Sequence, residues 1–187
     1  MLMGINNKIS HGYAYYLTLT IEEWIDVFSR PVYKHIIVDS LNYCIANKGL
    51  EVYCWCLMSN HLHLIACATE DENLSDILRD FKKFTSKEII RTLLVEITES
   101  RRDWMLNRFE YAGKNDKKIT NYRFWQEGND AQAIFLNDYF NQKLNYIHEN
   151  PVKAEIVNRT EDYKYSSAID WVPIAIGRKG LLEVILV

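Results

Sequence analysis

Residues Asn60 to Ile65 read Asn-His-Leu-His-Leu-Ile, and this short alternation restricts the chain more than any other stretch. Successive side chains of a β-strand face opposite sides, so His61 and His63 share one face while Leu62 and Leu64 share the other. The run Glu51 to Met58 just before it is rich in strand-forming residues, and Ser59-Asn60 between the two suits a tight turn. The sequence therefore predicts a hairpin with one apolar face and one bearing two imidazoles. Such a pair places two nitrogens where a single cation can meet both, although histidines of this kind also serve as ordinary half-buried strand residues. A third ligand has to come from elsewhere.

The rest of the chain supplies the partners of that hairpin. Tyr13 to Thr20 reads as a first strand, and Pro31 opens a helix whose apolar positions Val32, Ile36, Ile37, Leu41, Cys44 and Ile45 run to a C-cap at Gly49. A long helix is predicted from Leu74 to about Ser100. Arg101 to Thr120 reads as a loop or ragged helical insertion, Ala131 to Phe135 as a last strand, and Asn137 to Glu149 as a last helix that Pro151 stops. The order strand, helix, strand, strand, helix, strand is that of the split βαβ arrangement. The expected fold is α+β: a four-stranded antiparallel sheet, ferredoxin-like or RRM-like, with helices on one face and the last helix on the other.

A length of 187 residues suits one domain with an ample core. We expect that domain over residues 1–171, with residues 172–187 as a C-terminal tail of unassigned role; its Gly177-Arg178-Lys179-Gly180 is read as a hairpin turn rather than a phosphate-clamping loop. Met1 to Gly12 has no apolar core of signal-peptide length, and no run suits a membrane span. Four cysteines without a secretion signal are expected to be reduced, and the expected location is cytoplasmic.

The net charge of −3 argues mildly against a nucleic-acid partner, yet Leu74 to Trp125 holds 12 Lys and Arg against 8 Asp and Glu. Arg79, Lys82, Lys83, Lys87 and Arg91 lie on the polar side of the long helix, either as a phosphate-binding patch or as a solvated face. Downstream, Tyr122, Phe124 and Trp125 surround Arg123, an arrangement suited to stacking unpaired bases or to filling a core edge. In the last helix Tyr146 and Asn150 are one turn apart, so a phenol and an amide share a face.

Taken together, Met58-Ser59-Asn60-His61-Leu62-His63-Leu64-Ile65, Phe81-Lys82-Lys83-Phe84, Phe124-Trp125-Gln126 and Tyr146-Ile147-His148-Glu149-Asn150-Pro151-Val152-Lys153 resemble the single-tyrosine HUH transposases. The Asn-Pro-Val-Lys ending and Asp162-Tyr163-Lys164-Tyr165-Ser166-Ser167 look most like the REP-associated branch. The resemblance implies DNA transposition by cleavage and rejoining of single-stranded or hairpin DNA. It makes Tyr146 the nucleophile that forms a 5′-phosphotyrosine, and His61 and His63 the ligands of Mg²⁺ or Mn²⁺. Asn150 would be a third ligand where glutamine is common in insertion-sequence relatives. Lys153 joins Arg79, Lys82, Lys83, Lys87, Arg123 and Trp125 as candidate DNA contacts. Both monomers and homodimers occur in such proteins.

Two other readings stay open. A domesticated relative could keep the fold as a non-catalytic nucleic-acid-binding domain. Alternatively, with Cys56 opposite His63 and Cys54 opposite Ile65, the set Cys54, Cys56, His61 and His63 shares a sheet face that could approach a structural zinc. For a DNA partner, an acidic chain implies modest affinity resting on the basic patch, with strong salt dependence.

Overall fold

The computed structural model describes residues 9–114, 121–172 and 179–187. The start of the chain, the end of the expected loop or helical insertion at Arg101 to Thr120 and the first half of the Gly177 to Gly180 turn lie outside the described residues. Four strands, β1 (Ala14–Thr20), β2 (Leu50–Leu57), β3 (His61–Ala68) and β4 (Gln132–Ile134), form an antiparallel sheet in the order β2-β3-β1-β4. This order puts the histidine strand in the interior of the sheet, as the split βαβ connection requires.

The β2/β3 hairpin closes through the two-residue turn Ser59-Asn60, with Met58 N–H donating to the His61 carbonyl at 2.9 Å. Its register sets Cys56 opposite His63 and Cys54 opposite Ile65, with an irregularity between Val52 and Cys54. Leu62 and Leu64 are fully buried in one core with Leu17, Leu19, Trp55 and Leu57. That core also takes in the apolar stripes of helix α1 (Pro31–Asn47) and helix α2 (Leu74–Val95), which pack on each other. Gly49 follows the α1 C-cap with φ of +64°, and a Cβ there would collide with the Thr69 hydroxyl, so glycine is required twice over.

Three local expectations are sharpened or corrected, the first being the loop or ragged helical insertion expected at Arg101 to Thr120. Residues Arg102–Lys114 form a regular helix, α3, because Met105, Phe109 and Gly113 recur every fourth residue and pack inward. The last helix, α4 (Asn137–Lys153), runs through Pro151. Proline sits in its final turn, where the chain continues by Ala154 N–H donating to the Asn150 carbonyl, so the missing donor breaks little. β4 is only three residues long.

The outer edge of β2 is covered from the C-terminal side. Leu57 N–H donates to the Tyr165 carbonyl at 2.8 Å and Ser167 N–H to the Trp55 carbonyl at 3.0 Å. Ile185 N–H reaches the Val52 carbonyl at 2.9 Å, and Leu182 is buried. The segment Asp162 to Ser167 is thus an edge cover, and the described part of the tail extends it. No helix among the described residues is long and apolar enough to cross a membrane.

Candidate active site

α4 crosses the sheet face that carries the histidines. Tyr146 is 42% exposed, and its ring centroid lies 5.5 Å from that of His63 and 6.2 Å from that of Tyr16 on β1. The rings of His61 and His63 are 4.6 Å apart. The sheet therefore positions two imidazoles and the helix brings a solvent-accessible phenol beside them.

The hydrogen bonds around His61 determine its tautomer. Asn60 Nδ2 donates to the Trp24 carbonyl at 3.1 Å and to Asp26 Oδ1 at 3.0 Å, both of which can only accept. Asn60 Oδ1 is thereby turned to His61 Nδ1 at 2.7 Å. An amide oxygen only accepts, so Nδ1 holds the proton and Nε2 presents its lone pair. His63 has its Nδ1 against the hydroxyls of Tyr16 and Thr18, both at 3.1 Å, while its buried Nε2 has no hydrogen-bond partner. Burial lowers the pKa of both rings, that of His63 to about 3, with the neighbouring His61 and Lys143 charges adding to the effect. Both rings are neutral near pH 7.

Neutral imidazoles with their Nδ1 atoms tied back and an unpartnered buried nitrogen fit a cation site. Among the described residues no group of three or more His, Cys, Asp or Glu side chains could hold a metal. A site here must therefore complete its sphere with neutral or external oxygens. Asn150 has its amide nitrogen committed to the Tyr146 carbonyl at 2.8 Å, which leaves its Oδ1 as the coordinating atom available.

The cysteines do not join this cluster. Cys54 Sγ lies 3.2 Å from Nε2 of the buried His148, which also meets Ser167 Oγ at 2.8 Å, and Cys56 Sγ lies 3.7 Å from Met58 Sδ. Burial pushes the Cys54 thiol up to about 12, so it stays protonated. A four-donor zinc site on this face finds no support in such contacts, even though the predicted register is the observed one.

Several predicted DNA contacts have other duties. Trp125 is only 6% exposed, stacks within Phe28, Phe81 and Phe124, and donates its Nε1–H to Thr85 Oγ1 at 3.0 Å. It is a core residue, not a stacking platform, because its apolar area is worth more inside. Lys82 turns inward to the carbonyls of Gln126 and Gly128 and to Asn129 Oδ1, and burial lowers its pKa to about 8. It ties a loop to α2. Arg79 pairs with Asp76 and Asp80, Arg91 with Glu88, and Arg123 with Glu22 and Glu127. Lys83 and Lys87 are exposed, with no ion pair among the described residues. Lys153 pairs with Glu149 at 2.7 Å and lies over the Tyr146 ring at 5.9 Å.

Sequence reasoning missed four residues of this surface. Lys143, one helical turn before Tyr146, sets its Nζ 4.2 Å over the Tyr16 ring and 5.9 Å from that of Tyr146. Its spacing from Tyr146 was a usable signal. Tyr16 and Thr18 reach His63 only because β1 pairs with β3, Thr18 lying opposite His63. Trp24 packs its ring edge-on to His61 at 5.9 Å.

A family model described as transposase IS200 like matches residues 10–105, just over half of the chain. The chain belongs to that family. Comparison with curated proteins finds no match. Among solved structures, a REP-associated tyrosine transposase bound to a REP hairpin superposes with a TM-score of 0.60 at 17% identity, covering 100% of both chains. A candidate transposase from Deinococcus radiodurans R1 gives 0.45 at 15% identity, over 80% of this chain and 97% of that one. The first of these shares the fold described above: α+β, with a four-stranded antiparallel sheet. In this IS200-like transposase the matched region holds both histidines, and the tyrosine helix lies beyond it.

Proposed function

We propose that this transposase cuts and rejoins single-stranded DNA through a covalent bond between Tyr146 and a 5′-phosphate, with Mg²⁺ or Mn²⁺ held by His61, His63 and Asn150. The observation that carries the reading is the meeting of two neutral imidazoles, each with an uncommitted Nε2, and an exposed phenol 5.5 Å from one of them, ring centre to ring centre. A divalent ion bound at the histidines would polarise a phosphate oxygen and favour attack on phosphorus.

The chain's own residues do the rest. The Tyr146 oxygen forms a bond to phosphorus as the bond to the 3′ oxygen breaks; the phenolic proton leaves, and the 3′ oxygen takes one up as a hydroxyl. The reverse attack by a 3′-hydroxyl releases Tyr146 and joins strands, with no net change in bond count. Lys143 supplies positive charge on the phenol's flank, where it favours an approaching phosphate. Tyr16 is not an equivalent nucleophile: burial pushes its phenol up to about 12 and its hydroxyl is engaged by Thr18 and His63.

A hairpin is the substrate form we favour, because the sequence motifs resemble the REP-associated branch and a solved protein of similar fold was bound to a REP hairpin. The test is incubation with labelled hairpin oligonucleotides and Mn²⁺, followed by a denaturing gel. A covalent adduct is expected with the parent, none with Tyr146→Phe and none in chelator. An adduct that persists in Tyr146→Phe overturns the assignment. Metal-independent binding without any adduct would instead favour the domesticated binding domain.

A further inference from the structure

Trp24 sits in the loop between β1 and α1, where Glu23 and Trp24 adopt φ of +53° and +56° in succession. Two consecutive left-handed residues with large side chains are disfavoured, and such conformations persist only where the surroundings impose them. Here they do. Glu23 holds Arg108 at 2.6 and 2.7 Å, Glu22 N–H donates to the Phe124 carbonyl, and Ile21 N–H donates to the Asn60 carbonyl. Asn60 Nδ2 caps the Trp24 carbonyl itself.

None of these contacts engages the indole, which is left 56% exposed. A core role would have buried it, as Trp55 and Trp125 are buried. Its place is specific: Trp24, His61, His63 and Tyr146 form a row of rings with successive centroids 5.9, 4.6 and 5.5 Å apart, and the two ends of the row are the solvent-accessible ones. With the indole in edge contact with His61, a strand whose phosphate lies at the histidines brings its neighbouring bases within reach of Trp24.

Resting on the function proposed above, we infer that Trp24 is a base-stacking residue, which takes an unpaired base of the bound DNA strand within a few nucleotides of the phosphate that Tyr146 attacks. An indole face accepts any base, so it positions the strand without selecting its sequence. The anchored turn holds the Trp24 backbone in place before DNA arrives, so the loop need not be ordered on binding.

The test measures anisotropy of labelled (dT)20 with the full chain in chelator, beside a strand of 20 abasic phosphates. Trp24→Ala should bind (dT)20 about tenfold more weakly than the parent, the size expected for one stacked base. Trp24→Phe should recover most of that loss, and all three proteins should bind the abasic strand alike. Equal affinity of the parent and Trp24→Ala for (dT)20 overturns the stacking role, as does an equal loss on the abasic strand. A Mn²⁺ affinity lowered in Trp24→Ala and not restored in Trp24→Phe, with (dT)20 affinity unchanged, would make Trp24 a support for His61 and overturn it too. The adduct assay with the parent is read separately: a parent that stacks (dT)20 through Trp24 yet never forms an adduct defeats the cleavage reading and leaves this one standing.

Discussion

Asn60 carries no reacting group, yet its three contacts decide which nitrogen of His61 faces the site. Losing such an orienting partner commonly costs 10- to 100-fold in metal affinity, so Asn60→Ala should weaken Mn²⁺ binding by about that factor in titration calorimetry, with the fold retained. Lys143 acts by charge. A pair of unit charges about 6 Å apart is worth ~0.7 kcal/mol in water and ~3 kcal/mol at a partly buried effective dielectric, which brackets its effect on a phosphate bound beside Tyr146. Lys143→Met should therefore slow adduct formation between about 3- and 100-fold, and a rate equal to the parent's would show solvent screening to be complete. His148 gives a pH effect. Burial lowers its pKa from 6.5 to about 4, so below pH 6.5 the unfolded chain binds a proton that the folded chain refuses. Stability present above 6.5 is thus lost as pH falls through about 4, by about 3 kcal/mol from this one ring. His63, lowered further, contributes in the same direction. The melting temperature should drop across that window, and less steeply in His148→Gln.

The elements show which signals were local and which were not. The hairpin, its turn and its register were readable because a period of two and a two-residue turn fix both, and the observed pairs are the expected ones. The cap at Gly49 was readable for the same reason. α3 was readable only as one side of a loop-or-helix alternative, since the exposed Trp104 and Tyr111 blur the inward stripe of Met105, Phe109 and Gly113. Trp125 was ambiguous in principle, because an aromatic beside an arginine has the same local pattern inside a core as on a surface. The basic side of α2 likewise could not reveal that Lys82 folds back over the chain at Gln126 to Asn129. Ser167 belongs to this scale as well. It accepts from Trp55 N–H at 3.0 Å and meets His148, so Ser167→Ala strips a buried donor at the sheet edge of its partner. The expected cost is about 1–3 kcal/mol in denaturant unfolding.

For the whole molecule the question is how a chain of net charge −3 holds DNA. Sequence suggested a basic patch with steep salt dependence, but most of the counted cations are neutralised by a carboxylate neighbour or, like Lys82, turned inward. Among the described residues few remain for phosphates; Lys143 and Lys153 both stand beside the tyrosine, and Lys153 is also paired with Glu149. Single-strand affinity should then vary weakly with salt, with a slope in log affinity against log salt of about −2 for roughly three phosphate contacts. A slope steeper than about −5 would mean that the surface ion pairs open to bind DNA.

The cover on β2 is also a matter of timing. The donors and acceptors of that edge are met by residues more than a hundred positions downstream, Ser167 lying 112 beyond Trp55 and Ile185 farther still from Val52. A ribosome adding about 5–20 residues per second needs on the order of ten seconds to make that stretch. For that interval every nascent copy holds an open strand edge, and neighbouring chains on one messenger could pair through it. Chaperone dependence during synthesis, and not in refolding of the finished chain, would be the signature.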